Sequence, residues 1–170
     1  MSISVPRLEA LPAKGNYTLI IFLKASTDIK MAGRRYVSLK KGYYSYTGSA
    51  LGSGATSLRK RVARHLRKKK NQHWHIDHLL ASKRSKVIAV VAAASEMNKE
   101  CEIASLLQRL EGATVPITGF GASDCKGRCR SHLMYFEKDI KPEAVADVYK
   151  SIFTDVRTLV ASSPQPQLKV

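Results

Sequence analysis

Apolar positions in this chain recur with two different periods, and the changes of period mark its elements. Residues 17–23 (YTLIIFL) form a nearly unbroken apolar, β-branched run, the pattern of a strand buried on both faces. Residues 34–39 alternate, and Lys40-Lys41-Gly42 can turn them into a second strand over Tyr43 to Thr47 as a hairpin. With 17–23 they predict a three-stranded antiparallel sheet. A small-residue loop, Gly48 to Gly54, then leads to Leu58, Val62 and Leu66, spaced i, i+4, i+8. That is the core stripe of a helix, with Thr56 or Ser57 as its cap. Residues 74–82 (WHIDHLLAS) read as a short helix and 86–94 as a strand. Residues 96–110 read as a helix capped by Ser95, burying Ile103, Leu106, Leu107 and Leu110. Residues 115–117 are a short extended piece, 131–137 a strand and 142–161 a final helix. The predicted class is α+β, a small and mainly antiparallel central sheet flanked by helices. Residues 1–14, with Pro6 and Pro12, form an arm; 15–137 the main domain; 138–161 a C-terminal helix packed on it; 162–170 a mobile Pro/Ser tail.

Charge adds a partner to this outline. The 170 residues hold 29 Lys+Arg against 13 Asp+Glu, a formal +16. No acidic residue lies between Asp28 and Asp77, an interval with 13 Lys/Arg. A solvated face would interleave acids, so this run implies a polyanion: DNA, with RNA as a further possibility. On the helix over 57–67 Arg59, Lys60, Arg64 and Arg67 face outward, and Lys68, Lys69 and Lys70 extend the basic face. The longest apolar run, Val87 to Ala94, is strand-sized, and no targeting segment or membrane span is expected. Three cysteines, an odd count, argue against a disulfide framework and for a reducing, cytoplasmic setting.

The chemistry gathers around Gly42 to Ala50 (GYYSYTGSA). Strand alternation puts Tyr44, Tyr46 and Gly48 on one face, and helical spacing puts Arg61 and His65 one turn apart. Phenols, a bare glycine, an arginine and a histidine can converge on a phosphate. His73, His75 and His78 do not share one helix face, so Trp74 is expected to pack and Asp77 to cap or pair with nearby cations. Cys125-x3-Cys129-x2-His132 has zinc-like spacing but lacks a clear fourth ligand unless Cys101 or a distant histidine joins, and zinc is not expected. Asp124, after Ser123 in a Gly-rich turn, is explained by local hydrogen bonding.

This order of features resembles the GIY-YIG nuclease superfamily. Gly15-Asn16-Tyr17 stands for its first motif and Tyr46-Thr47-Gly48 for its second. Arg61 matches the helix arginine, His65 the residue one turn later, and Lys99-Glu100-Cys101-Glu102 the helix that supplies a glutamate. The resemblance implies a metal-dependent DNA endonuclease, structure-directed or weakly sequence-specific, acting in DNA repair or processing. Its catalytic residues would be Tyr17, Tyr46, Gly48, Arg61, His65 and Glu100. Glu100, or alternatively Glu102, would hold Mg²⁺ or Mn²⁺; Arg61 would clamp the phosphate and lower the pKa of a tyrosine; Tyr46 or Tyr17 would activate water; Gly48 would admit the substrate backbone. Glu100 lies on the edge of the buried stripe of its helix, with Glu102 about 200° around it, which favours Glu100. Two departures stand out. Tyr17 and Tyr46 are 29 residues apart, so 24–41 must hold an insertion or an extra strand, and Ser49 stands where the family often has lysine. A non-catalytic DNA- or RNA-binding module on the same fold is the alternative reading.

Overall fold

The computed structural model of the chain describes residues 5–31, 35–122, 125 and 129–161. Its centre is β1 (Gly15–Leu23), which pairs antiparallel with β4 (Gly42–Ala50) on one edge and β5 (Ser85–Ala94) on the other. β6 (Leu133–Phe136) extends the β4 side and β7 (Val156–Val160) the β5 side, giving a five-stranded sheet in the order β6-β4-β1-β5-β7. All four of its pairings are antiparallel. With two neighbours in the hydrogen-bonding plane and a layer on each face, β1 needs apolar residues throughout, as its sequence has.

Alternation along β1 and β4 divides the core in two. Tyr17, Leu19, Ile21, Tyr44 and Tyr46 face α1 (Leu58–Leu66) and α2 (His75–Ala81), whose Leu58, Val62, Ile76 and Leu79 close that layer. Ile20, Ala89 and Val91 face α3 (Glu100–Leu107) and α4 (Pro142–Lys150), through Ile103, Ala104, Val145 and Tyr149. The α+β class, an antiparallel sheet flanked by helices, is the one the sequence predicts.

Several elements differ from expectation. The segment before β4 does not form a hairpin with it. β3 (Tyr36–Leu39) pairs instead with β2 (Thr27–Lys30) in a separate two-stranded sheet. β4 already has β1 on one edge and β6 on the other, so no edge is left for β3. Gly42, at φ +147°, makes the change of direction, and a Cβ there would come within 2.8 Å of the Phe136 carbonyl. This small sheet occupies the 24–41 interval between Tyr17 and Tyr46. The final helix stops at Lys150, and 156–160 form the edge strand β7, where Val156, Thr158 and Val160 suit a pleated surface and β5 offers an open edge. α3 starts at Glu100 with Lys99 as its N-cap, not at Glu96 with Ser95 as its cap. Residues 115–117 form no strand; Thr114 bridges Tyr135 alone. The arm is docked: a 3-10 turn over Val5–Ala10 leads to Leu8 and Leu11 in the core. Arg34, Asp124 and the 162–170 tail lie outside the described residues. Among the described residues no helix is long and apolar enough to cross a membrane.

Candidate functional site

Tyr17 and Gly48 are register partners across β1 and β4. A Cβ at Gly48 would sit 2.5 Å from the Tyr17 hydroxyl. The glycine therefore opens the space that the phenol fills, which is a different use from admitting a substrate backbone. The Tyr17 hydroxyl lies 2.8 Å from His65 Nε2. Tyr17 is 1% exposed and His65 2%. Burial, with Tyr46 adding, raises the Tyr17 phenol well above the usual tyrosine range, although Arg61 pulls the other way. The expectation that Arg61 would produce an acidic tyrosine therefore does not hold at Tyr17. Burial also lowers the pKa of His65, against the pull of Asp77. The Asp77 carboxylate facing Nδ1 favours the ring proton there, so Tyr17 donates to Nε2.

Nδ1 faces Asp77 Oδ1 at 3.8 Å, beyond hydrogen-bond reach. Asp77 is fully buried at the start of α2. Arg64 grips it with both terminal nitrogens, at 3.1 and 2.9 Å, and the backbone N–H groups of His73 and Trp74 donate to Oδ2 at 3.0 Å each. Lys70 Nζ stands 3.5 Å away. Burial alone would raise this carboxyl, but its hydrogen bonds and cationic neighbours hold it far below the usual carboxylate range. Asp77 thus caps α2 and ties α1 to it, the role expected from its place in the sequence, and it stands behind His65.

Glu100 and Arg61 meet at the backbone of Ser49. β6 pairs with β4 only over Tyr43 to Tyr46, so the peptide groups of Ser49 have no strand partner on that side. The Ser49 N–H donates to Glu100 Oε1 at 2.5 Å, and Arg61 donates to the Ser49 carbonyl at 3.0 Å. Helices from opposite faces of the sheet are thereby joined at one residue. Glu102 turns away, exposed and paired with Lys99 at 2.7 Å. The geometry puts Glu100, not Glu102, beside Arg61. Two asparagines with no part in the sequence reading hold Glu100 in place. Buried Asn16 accepts from Lys99 N–H and donates to the Met97 carbonyl, fixing the entry of α3 on β1. Asn98 accepts from Glu100 N–H and donates to Glu100 Oε2. Asn16 was visible only as the middle of Gly15-Asn16-Tyr17, and one buried amide carries no periodic signal.

Tyr46 completes the group, 9% exposed, its ring edge-on to His65 at 6.3 Å and to Phe120 at 6.1 Å. Trp74 lies beneath two guanidinium groups, Arg61 at 4.8 Å and Arg64 at 4.2 Å from its ring centre. Tyr17, Tyr46, Gly48, Arg61, His65 and Glu100 are thus neighbours, with Tyr17 and His65 buried in the core rather than open on a surface.

The basic tract is less uniform than it reads. Lys68 Nζ donates to the carbonyls of Leu80, Ser82 and Ser85, and Lys70 Nζ to those of Arg64 and His65. Arg59 donates to the Leu11 carbonyl at 2.6 Å. These cations fasten elements together, although Arg59 and Lys68 are exposed, as are Lys60, Arg67 and Lys69. Cys101, on α3, brings its sulfur within 4.8 Å of the ligand atoms of Cys125, Cys129 and His132.

Residues 16–154 match the family described as a domain of unknown function, DUF123. The chain belongs to the DUF123 family. The match runs from the second residue of β1 through α4, and so takes in both the Tyr17–His65–Asp77 and the Glu100–Ser49–Arg61 groups. β7 lies outside it. No curated protein and no solved structure matches this DUF123 chain.

Proposed function

We propose that the chain is a metal-dependent DNA endonuclease of the GIY-YIG kind, hydrolysing phosphodiesters in DNA repair or processing. The observation that carries this reading is the meeting of Arg61 and Glu100 at Ser49, beside the tyrosine pair. Phosphodiester hydrolysis needs an anion clamp, a metal-binding oxygen and a proton acceptor, and these residue types supply them. The +16 charge adds attraction for a polyanion. The GIY-YIG resemblance rests on the residues quoted for it. A reducing cytoplasm suits the thiols.

Glu100 suits Mg²⁺ or Mn²⁺ as a single hard oxygen donor, because Mg²⁺ often takes one or two carboxylates and keeps water and phosphate for the rest. Its side chain is 20% exposed and fixed by Ser49 and Asn98. The cation, when bound, would neutralise charge at the leaving 3′ oxygen. Arg61 gives one N–H to Ser49 and keeps the rest of its fork for a phosphate oxygen. Tyr46, the more exposed phenol, orients water, and Tyr17 holds His65 from within. Lys60, Arg67 and Lys69 attract the flanking backbone.

The test is nicking of supercoiled and branched DNA with Mg²⁺ or Mn²⁺; the reading requires cleavage that stops on adding a chelator. A non-catalytic DNA- or RNA-binding module is favoured by one observation, the complete burial of the Tyr17–His65 pair away from water. Tight, salt-sensitive binding without cleavage of any of these substrates would select it.

A further inference from the structure

Three thiols and an imidazole close on one point next to the start of α3. Cys101 is on the first turn of α3, Cys125 and Cys129 come from the chain between Phe120 and β6, and His132 immediately precedes β6. One ligand atom from each lies within 4.8 Å of all the others. Cys129 Sγ is 3.1 Å from His132 Nε2 and 3.4 Å from Cys125 Sγ; Cys101 Sγ is 3.7 Å from His132 Nε2. Tetrahedral Zn²⁺, with sulfur at about 2.3 Å and nitrogen at about 2.0–2.1 Å, sets its ligand atoms roughly 3.5–3.8 Å apart. Three of the separations, 3.1, 3.4 and 3.7 Å, lie near that spacing, while Cys101 Sγ and Cys125 Sγ would have to part to admit the ion.

We infer that Cys101, Cys125, Cys129 and His132 form a structural Zn²⁺ site. Three thiolates with one imidazole select a soft or borderline ion over Mg²⁺. Four protein ligands close the coordination shell and leave no position for water or substrate, so the ion holds structure and performs no chemistry. The competing description is a Cys101–Cys125 disulfide, since those two sulfurs are in direct contact. Their Cα atoms are 7.6 Å apart. Disulfides usually span about 4.4–6.8 Å, and a bridge would give Cys129 and His132 no part.

The consequence is mechanical. The segment between Phe120 and His132 holds no helix or strand among its described residues, and Zn²⁺ fastens it to α3. A ring bound through Nε2 turns Nδ1–H outward, and His132 Nδ1 lies 3.9 Å from Glu100 Oε2. The same ion therefore steadies the carboxylate that Ser49 and Asn98 hold.

The proposal is independent of the nuclease reading, because metal content tests it without any cleavage. The full chain is purified in reductant with no added metal and its zinc measured. One equivalent per chain is expected, with Cys101→Ser and Cys129→Ser reduced to background. Co²⁺ exchanged into the site is expected to give the visible absorption of a tetrahedral thiolate complex. If the serine variants do not fold, His132→Cys keeps four ligands and is expected to retain the zinc. A folded, reduced, zinc-free wild type that takes up neither Zn²⁺ nor Co²⁺ on titration overturns the site. So does a folded metal-free protein whose intact mass and peptide map show a Cys101–Cys125 bridge.

Discussion

The hydroxyl of Tyr17 occupies the space that a side chain at Gly48 would need, directly across the β1–β4 pair. A methyl group at 48 would meet the hydroxyl at 2.5 Å and the adjoining ring carbon at 2.7 Å. Both are buried, so the ring must move away from His65 or the strands must part. Gly48→Ala is expected to destabilise by about 1–3 kcal/mol, the usual cost of overpacking. Tyr17→Phe removes the nearer of the two contacts, so the double variant should recover part of that loss. Urea denaturation of the four proteins measures the coupling, and strictly additive effects would show that the two residues do not compete for space.

His65 and Asp77 give stability a defined pH dependence. The folded-state pKa of His65 lies below its unfolded value, so its contribution is complete above about pH 6.5 and is lost as pH falls through the folded pKa. Asp77 is also depressed, so its contribution is present above about pH 3.9 and is lost at more acidic pH. The wild type should weaken between about pH 7 and 5, and His65→Gln should lose most of that slope, keeping only the part that His78, also depressed by burial, supplies. A wild type equally stable across it would contradict the buried neutral imidazole.

Asp77 binds α1 to α2 through Arg64 and Lys70, both on its buried carboxylate. Removing one member of a buried charged group typically costs about 3–5 kcal/mol. Asp77→Ala is expected in that range, and Arg64→Ala below it because that side chain is 27% exposed. Thermal or urea melts decide the order, and an Asp77→Ala loss under about 1 kcal/mol would show that the network is solvated.

The basic residues separate into two kinds. Lys60, Lys68 and Lys69 are all exposed, but Lys68, like Lys70, donates its ammonium to backbone carbonyls. Lys60→Ala and Lys69→Ala should each lower the salt slope of DNA affinity by about 1 and leave Tm unchanged. Lys70→Ala should lower Tm. Reversed outcomes would place the nucleic-acid surface elsewhere.

What could be read from the chain follows from how each contact is encoded. β1 and α1 carry their burial in local periodicity, so Leu19, Ile21, Leu58 and Val62 were legible as core. Arg61 and His65 were legible as a pair because one helical turn separates them. The β2–β3 sheet was not, because strand alternation says which face is buried and nothing about which edge is vacant. β7 was masked by the helical pattern of α4 running into it. Cys101 lies 24 residues from Cys125, too far to share a local motif, and only the fold places it beside Cys129 and His132. Asn16 and Asn98 act through single hydrogen bonds to backbone, which leave no repeat in the sequence.

The nuclease reading stands on Glu100, and a paired comparison of two glutamates isolates it. Glu100→Gln and Glu102→Gln differ little in size or fold, and both leave Arg61 and the exposed lysines intact. Nicking of supercoiled DNA in Mg²⁺ or Mn²⁺ is measured for each, with DNA affinity measured in the same buffer. The account predicts that Glu100→Gln binds DNA like the wild type and loses cleavage by about 100-fold or more, the scale of removing one transition-state stabilising group. Glu102→Gln should cut normally. Cleavage undiminished in Glu100→Gln would contradict the account.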